Sequence, residues 1–256
     1  MDENRSSHRL MECPQTPFWV LPMASQDFDI DQLAAYLHLT PPQVEKLANR
    51  GTVPGRKVAG QWRFSQADIH HWLEDRIGLS DEAELVQVES VLDRSGSSDD
   101  EVVSIADMLR PETIKTPLMG KSPRKIISEL CELAAEAQLL WDPAKMSDAV
   151  LTRENMHTTA LDNGVALLHP RRPLPDIISE GFLCLGRTYQ GVPFGGSRGI
   201  LTDVFFLIAS VDDRSHLRTL ARLSRVISDS AFYTKLRDAA DPIATIEMIA
   251  EFEEDL

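Results

Sequence analysis

The chain has 256 residues, 43% hydrophobic and 26% charged, an ordinary globular composition with room for one large domain or two modest ones. Its net charge of −14 excludes a surface that clings to nucleic acid throughout, yet leaves room for a local basic patch. No apolar run approaches the roughly 20 residues of a membrane helix, and Cys13, Cys131 and Cys184 are too few and too far apart for a disulfide framework or a zinc knuckle, which points to a reducing cytoplasm.

Residues 1–25 are expected to be a disordered leader. The apolar stretch at 18–24 is short and broken by Pro22, so it does not make a signal peptide, and Met23 offers an alternative start. A head follows at 26–78. Ile30, Leu33, Ala34 and Leu37 recur at helical spacing, with Asp29 or Asp31 as the N-cap. Thr40-Pro41-Pro42 opens a second helix with Val44, Leu47 and Ala48 on its apolar face, and Gly51 ends it. Two extended pieces at 56–58 and 61–64 flank Ala59-Gly60 as a hairpin. A third helix over 65–74 then turns Ile69, Trp72 and Leu73 inward. Trp62 and Trp72 read as core residues. The adjacent His70 and His71 point in different directions on a helix, so no metal pair is expected there. From Gln43 to Arg63 there are five basic residues and one acid, a local charge of +4 in an acidic chain.

Residues 79–101 form an acidic, Ser-rich linker. Such composition buries too little apolar surface to offset chain entropy and is expected to be flexible, although 82–92 has some helical character that would prolong the helix before it. The body spans 102–256. It opens with a helix near 122–137, with Pro123 in its first turn, and a second near 145–154 that ends in Arg153-Glu154. Gly164 to Leu168 is a short apolar strand with His169 at its end. Residues 182–185 and 203–210 read as buried strands, and Asp212-Asp213-Arg214-Ser215-His216 starts a helix with Leu217, Leu220, Ala221 and Ile227 on one face. Two more helices are expected near 229–239 and 243–252. The fold class is α+β: a small winged helix-turn-helix head and a three-layer α/β/α domain with a mixed sheet.

The head resembles the MerR-like, excisionase-type winged helix-turn-helix family through residues 30–39, 44–51, Val53-Pro54, 56–64 and 68–73. The resemblance implies binding to double-stranded DNA, with Gln43, Lys46 and Arg50 facing it from the second helix and Arg56, Lys57 and Arg63 contacting it from the wing. A fold of this kind used only for protein contact is the alternative.

The body resembles the type-2 enzyme IIA domain of the phosphoenolpyruvate-dependent phosphotransferase system, the fructose, mannitol and nitrogen-related group. The resemblance rests on Arg153-Glu154, on the run from Thr158 to His169, and on the strand at 203–210 leading to His216-Leu217. It implies that His169 accepts a phosphoryl group from a phosphorylated histidine-containing carrier protein. By the same resemblance Arg153 holds the phosphoryl oxygens, His216 lies beside His169 and donates a hydrogen bond, and Thr158 and Thr159 add hydroxyl donors. The chemistry suits these residue types. An imidazole keeps a neutral nitrogen at pH 7, and a guanidinium matches the charge spread over phosphoryl oxygens.

Three positions depart from the family pattern. Ala160 and Asp162 replace glycines, which limits positive φ, and Leu168 replaces a proline. An Asp162 carboxylate about 8 Å from the phosphoryl group would add roughly 2 kcal/mol of repulsion per unit charge at a dielectric near 20, unless it points to solvent.

The favoured reading is a cytoplasmic regulator that carries phosphate on His169, as a phosphohistidine phosphotransferase when the site is active, and binds DNA through its head. Alternatives are an enzyme IIA that passes phosphate to a separate IIB protein in sugar uptake, and a degenerate sensor that never carries phosphate. No metal, cofactor or membrane insertion is expected. A regulatory target protein and a homodimer are left open as partners. Across a flexible linker, phosphorylation would act by changing a protein contact, since direct electrostatic coupling fades beyond a Debye length of about 8 Å.

Overall fold

The computed structural model describes residues 27–79, except 38, and residues 103–254, except 197 and 198; over 75–79 it describes the backbone alone. The expected leader and nearly all of the expected linker lie outside the described residues.

In the head, helix α1 (Ile30–Tyr36) is capped by Asp29, whose carboxylate accepts from the Gln32 amide at 2.8 Å. This settles the choice between Asp29 and Asp31. Helix α2 (Pro41–Asn49) begins after Thr40, whose amide donates to Gln43 Oε1 at 2.8 Å. It stops at Gly51, where φ is +70° and glycine carries no Cβ penalty. Strand β1 (Asp27–Phe28), which sequence periodicity does not reveal, pairs antiparallel with β3 (Gln61–Ser65), which also pairs with β2 (Arg56–Val58). The β2–β3 turn places Ala59 at φ +50° and Gly60 at +81°, the two left-handed residues that a tight hairpin requires. Helix α3 (Gln66–Leu79) completes the head, and Leu33, Val44, Phe64 and Ile69 are fully buried at its centre.

The body is built on a four-stranded mixed sheet in the order β4 (Ile114–Lys115), β6 (Phe182–Pro193), β7 (Leu201–Ala209), β5 (Val165–Leu168). The outer pairs β4–β6 and β5–β7 are parallel and the central β6–β7 pair is antiparallel. Side chains alternate across the sheet as strand geometry demands. Leu183, Leu185, Val204, Phe206 and Ile208 face helices α6 (Asp213–Ser228), α7 (Phe232–Asp238) and α8 (Pro242–Glu254). Phe182, Cys184, Phe205, Leu207 and Ala209 face α4 (Pro123–Glu136) and α5 (Pro143–Met156). The expected three layers and mixed sheet are present. Glu253 on α8 ties down the start of the body by accepting from the Ile105 and Ala106 amides at 2.7 and 2.9 Å.

The head is not held away from the body. Helix α3 packs on α6, and the apolar core of the head is continuous with the α6–α8 core of the body. The head thus meets the body directly, through a contact between α3 and α6.

Candidate functional site

Strands β5 and β7 run parallel in register, Leu168 opposite Leu207, so their carboxyl ends share one edge of the sheet. His169 is the first residue beyond β5. The chain beyond β7 turns through Asp212, whose carboxylate accepts from the Arg214 and Ser215 amides at 2.8 Å, and enters α6, with His216 in its first turn. This edge thus brings two histidines together from 47 positions apart in the sequence, with ring centroids 4.9 Å apart. The last turn of α5 adds Arg153, whose Nη1 donates to the His157 carbonyl at 2.9 Å.

The geometry fixes the tautomer of His169. Its Nδ1 lies 2.8 Å from the Leu167 carbonyl oxygen, which can only accept, so Nδ1 carries the hydrogen and Nε2 keeps its lone pair. Nε2 of His169 and Nε2 of His216 are both buried and make no hydrogen bond among the described residues. Burial lowers the His169 pKa from its ordinary value; the Glu74 carboxylate opposes this, while His216 and Arg153 reinforce it. A neutral ring in this tautomer presents the Nε2 lone pair as the nucleophile.

A fourth group closes the site, and sequence reading missed it. Glu74 of α3, in the head, places Oε1 3.5 Å from His216 Nε2 and Oε2 3.7 Å from His169 Nε2. The same Oε2 lies 3.8 Å from Arg153 Nη2. Glu74, His169, His216 and Arg153 are 6%, 3%, 4% and 3% exposed. Burial works against ionisation of Glu74; the facing histidines act the other way whenever they carry a proton, and the carboxyl is held far below the usual carboxylate range. Beside this contact, Tyr36 Oη lies 2.8 Å from His70 Nε2, and His70 Nδ1 lies 3.2 Å from Asp213 Oδ2 at the start of α6. His70 holds the Asp213 pKa down, opposed by burial. His70 and Glu74, four residues apart on one helix face, are the spacing signal that marks this face of α3.

Glu74, His169 and His216 each offer a ligand atom within 4.8 Å of the others, a spacing that a metal ion can bridge. Arg153, buried beside the same carboxylate, opposes a second positive charge and favours an anion. The set therefore suits an anionic group between two imidazoles and a guanidinium.

Thr158 and Thr159 turn their hydroxyls to acceptors within the loop. Thr159 Oγ1 donates to Glu154 Oε2 at 2.6 Å. Thr158 Oγ1 lies 2.7 Å from Glu154 Oε1 and 2.6 Å from the Phe194 carbonyl. Each hydroxyl hydrogen already has an acceptor, so in this arrangement neither is a free donor for a phosphoryl oxygen. The pair knots the loop between Arg153 and β5. The departures at Ala160 and Asp162 cost no strain, since the non-glycine residues at positive φ among the described residues are Ala59 and Gln138. Asp162 is exposed, so its charge is largely screened.

On the head, Gln43, Lys46, Arg50, Arg56 and Lys57 are exposed and Arg63 is half-buried. Several are engaged locally. Gln43 caps α2, Arg56 pairs with Asp27 at 2.7 Å, Lys57 lies over the Trp62 ring at 5.0 Å, and Arg63 donates to the Trp62 carbonyl and to Gln61. Lys46 and Arg50 share the exposed face of α2.

Comparison with known proteins agrees with this architecture. Residues 28–77 match the helix-turn-helix domain family. The nitrogen regulatory protein of Bradyrhizobium diazoefficiens is 31% identical over 148 residues, which cover 57% of this chain and 94% of that protein. The fructose-specific EIIABC component of Bacillus subtilis is 26% identical over 149 residues, 57% of this chain but only 23% of that longer protein. The crystal structure of nitrogen regulatory protein IIA-Ntr from Neisseria meningitidis superposes with a TM-score of 0.51 at 20% identity, covering 57% of this chain and 98% of that one, and so shares the fold. Residues 107–252 match the family of the phosphoenolpyruvate-dependent sugar phosphotransferase system, EIIA 2, and the chain belongs to that family.

Proposed function

We propose that this protein is a phosphotransferase-system regulator that accepts a phosphoryl group on Nε2 of His169 from a phosphorylated histidine-containing carrier protein and binds DNA through its head. The observation that supports acceptance most is the fixed tautomer of His169. Its Nδ1–H is anchored on the Leu167 carbonyl, and Nε2 aims a lone pair at the space shared with His216 and Arg153.

In the transfer, the Nε2 lone pair attacks phosphorus as the bond to the carrier's imidazole nitrogen breaks. The carrier imidazole leaves with that electron pair. No proton has to depart from His169, because Nε2 carries none, and no separate base is needed. Charge on the transferring oxygens falls between the Arg153 guanidinium and the His216 ring at the positive end of α6.

DNA binding rests on the helix-turn-helix match at 28–77 and on the exposed Lys46 and Arg50 of α2 beside the wing. A second reading, an enzyme IIA that hands phosphate to a separate IIB protein in sugar uptake, is favoured by the likeness to the fructose-specific relative. The test is incubation of the full chain with the general phosphotransferase proteins and phosphoenolpyruvate at neutral pH, followed by intact mass. Addition of one phosphoryl group that His169→Ala abolishes supports the proposal. An unchanged wild-type mass leaves the degenerate sensor.

A further inference from the structure

We infer that Glu74 is a built-in occupant of the phosphoryl pocket, so that docking of the head and phosphorylation of His169 exclude one another. This rests on the reading of His169 as the acceptor. The carboxylate stands where the transferred group has to go. It is 3.7 Å from Nε2 of His169, 3.5 Å from Nε2 of His216 and 3.8 Å from the Arg153 guanidinium. A tetrahedral phosphoryl group on Nε2 and the Glu74 carboxylate cannot share that space, and a group carrying about −1.5 to −2 charges would repel it. With α3 in place His169 is 3% exposed, which shuts out the imidazole of a carrier protein.

The occupant is held by more than one side chain. His70, one turn before Glu74 on the same face of α3, bridges Tyr36 of the head to Asp213 of the body. The apolar cores of head and body are continuous at this contact. The contacts from Glu74 to the imidazoles are longer than hydrogen bonds, so the carboxylate is held by charge and enclosure and can be displaced. Expulsion of Glu74 by a phosphoryl group would free α3 from α6, and with it the orientation of the whole head. The mark on His169 is thereby read as a change in how the DNA-facing helix is carried. The exposed α2 face does not have to be uncovered for this to happen.

The experiment uses the full chain with Glu45→Cys on the head and Lys145→Cys on the body, both exposed positions, in a Cys13→Ser background. Spin labels report the head–body distance by pulsed electron resonance, and intact mass reports the rate of phosphorylation. The unmodified protein is expected to give one narrow distance, which broadens on phosphorylation and also in Glu74→Lys without it. Glu74→Gln is expected to be phosphorylated faster, by up to about tenfold if about one molecule in ten is open in the unmodified chain. Equal rates in two phosphorylated proteins, or a distance that stays narrow after phosphorylation, overturn the inference while the acceptor assignment stands. If neither protein takes phosphate, the acceptor reading fails, and the Glu74→Lys distance still decides whether the carboxylate holds the head. A narrow distance that is lost with a chelator and restored by zinc overturns the carboxylate occupant in favour of a metal bridge.

Discussion

Arg153 serves two anions in turn, and that makes its removal informative. In the docked state its Nη2 lies 3.8 Å from Glu74 Oε2, with both side chains 4% exposed, and at an effective dielectric near 20 the gross attraction at that distance is about 4 kcal/mol. In the phosphorylated state the same guanidinium would bond a phosphoryl oxygen, a charged hydrogen bond of about 1.5–3 kcal/mol. Arg153→Met therefore slows transfer and loosens the occupant together, and the two effects oppose each other in the measured rate. The Glu74→Gln background removes the second effect. There, Arg153→Met should slow phosphorylation by roughly ten- to a hundredfold, since 1.4 kcal/mol is about a factor of ten. In the otherwise unchanged protein the fall should be visibly smaller, so that the double-mutant cycle does not close additively. The assay is the initial rate by rapid quench and intact mass, with unchanged circular dichroism as the control on folding. Equal rates with and without Arg153 in the Glu74→Gln background would refute its role as a phosphoryl clamp.

Other outcomes follow from the same geometry. Because burial depresses the pKa of His169, the folded site stays neutral while an unfolded histidine takes a proton near pH 6.5. Stability should therefore fall as pH drops below about 6.5, down to the lower pKa of the folded site, and His169→Gln should flatten that slope in urea melts between pH 7.5 and 5.5. Thr159→Val, which takes from the half-buried Glu154 carboxylate the hydroxyl at 2.6 Å, should lower stability by about 1–3 kcal/mol by thermal or chemical melt; wild-type stability would return Thr159 to the list of free donors. In fluorescence titrations of duplex DNA with the full chain, Lys46→Ala and Arg50→Ala should weaken binding, and each lost phosphate contact should reduce the salt slope by about one. Binding that ignores both substitutions would favour a head used for protein contact.

The parts legible in the sequence are those whose signal is local. Val165 to Leu168 followed by His169 reads as a buried strand ending in a reactive side chain, and that is where the strand ends. The alternation of Val204, Phe206 and Ile208 against Phe205, Leu207 and Ala209 reads as a strand buried on both faces, and the two sets divide between two cores. Strands β1 and β4 are only two residues long, too short for any period, and they exist because a neighbouring strand offers partners. Which acceptor the Thr158 and Thr159 hydroxyls take is not a local signal, because it depends on Glu154 reaching over from the end of α5. Glu74 was hidden for a different reason. Its partners lie 79 to 142 positions away, across the boundary between two domain-like segments, and only the row of His70 and Glu74 on one face of α3 hints that this face meets something charged.

In the proposed reaction Nε2 of His169 is the acceptor, because Nδ1 holds its hydrogen on the Leu167 carbonyl. Long-range proton–nitrogen correlation spectra of the nitrogen-15-labelled full chain, recorded before and after treatment with phosphoenolpyruvate and the general phosphotransferase proteins, test this directly. The predicted result is a neutral His169 ring with the proton on Nδ1 before treatment and phosphorus on Nε2 of that ring afterwards. Phosphorus on Nδ1, phosphorus on His216, or a ring at 169 protonated on Nε2 in the untreated protein would contradict it.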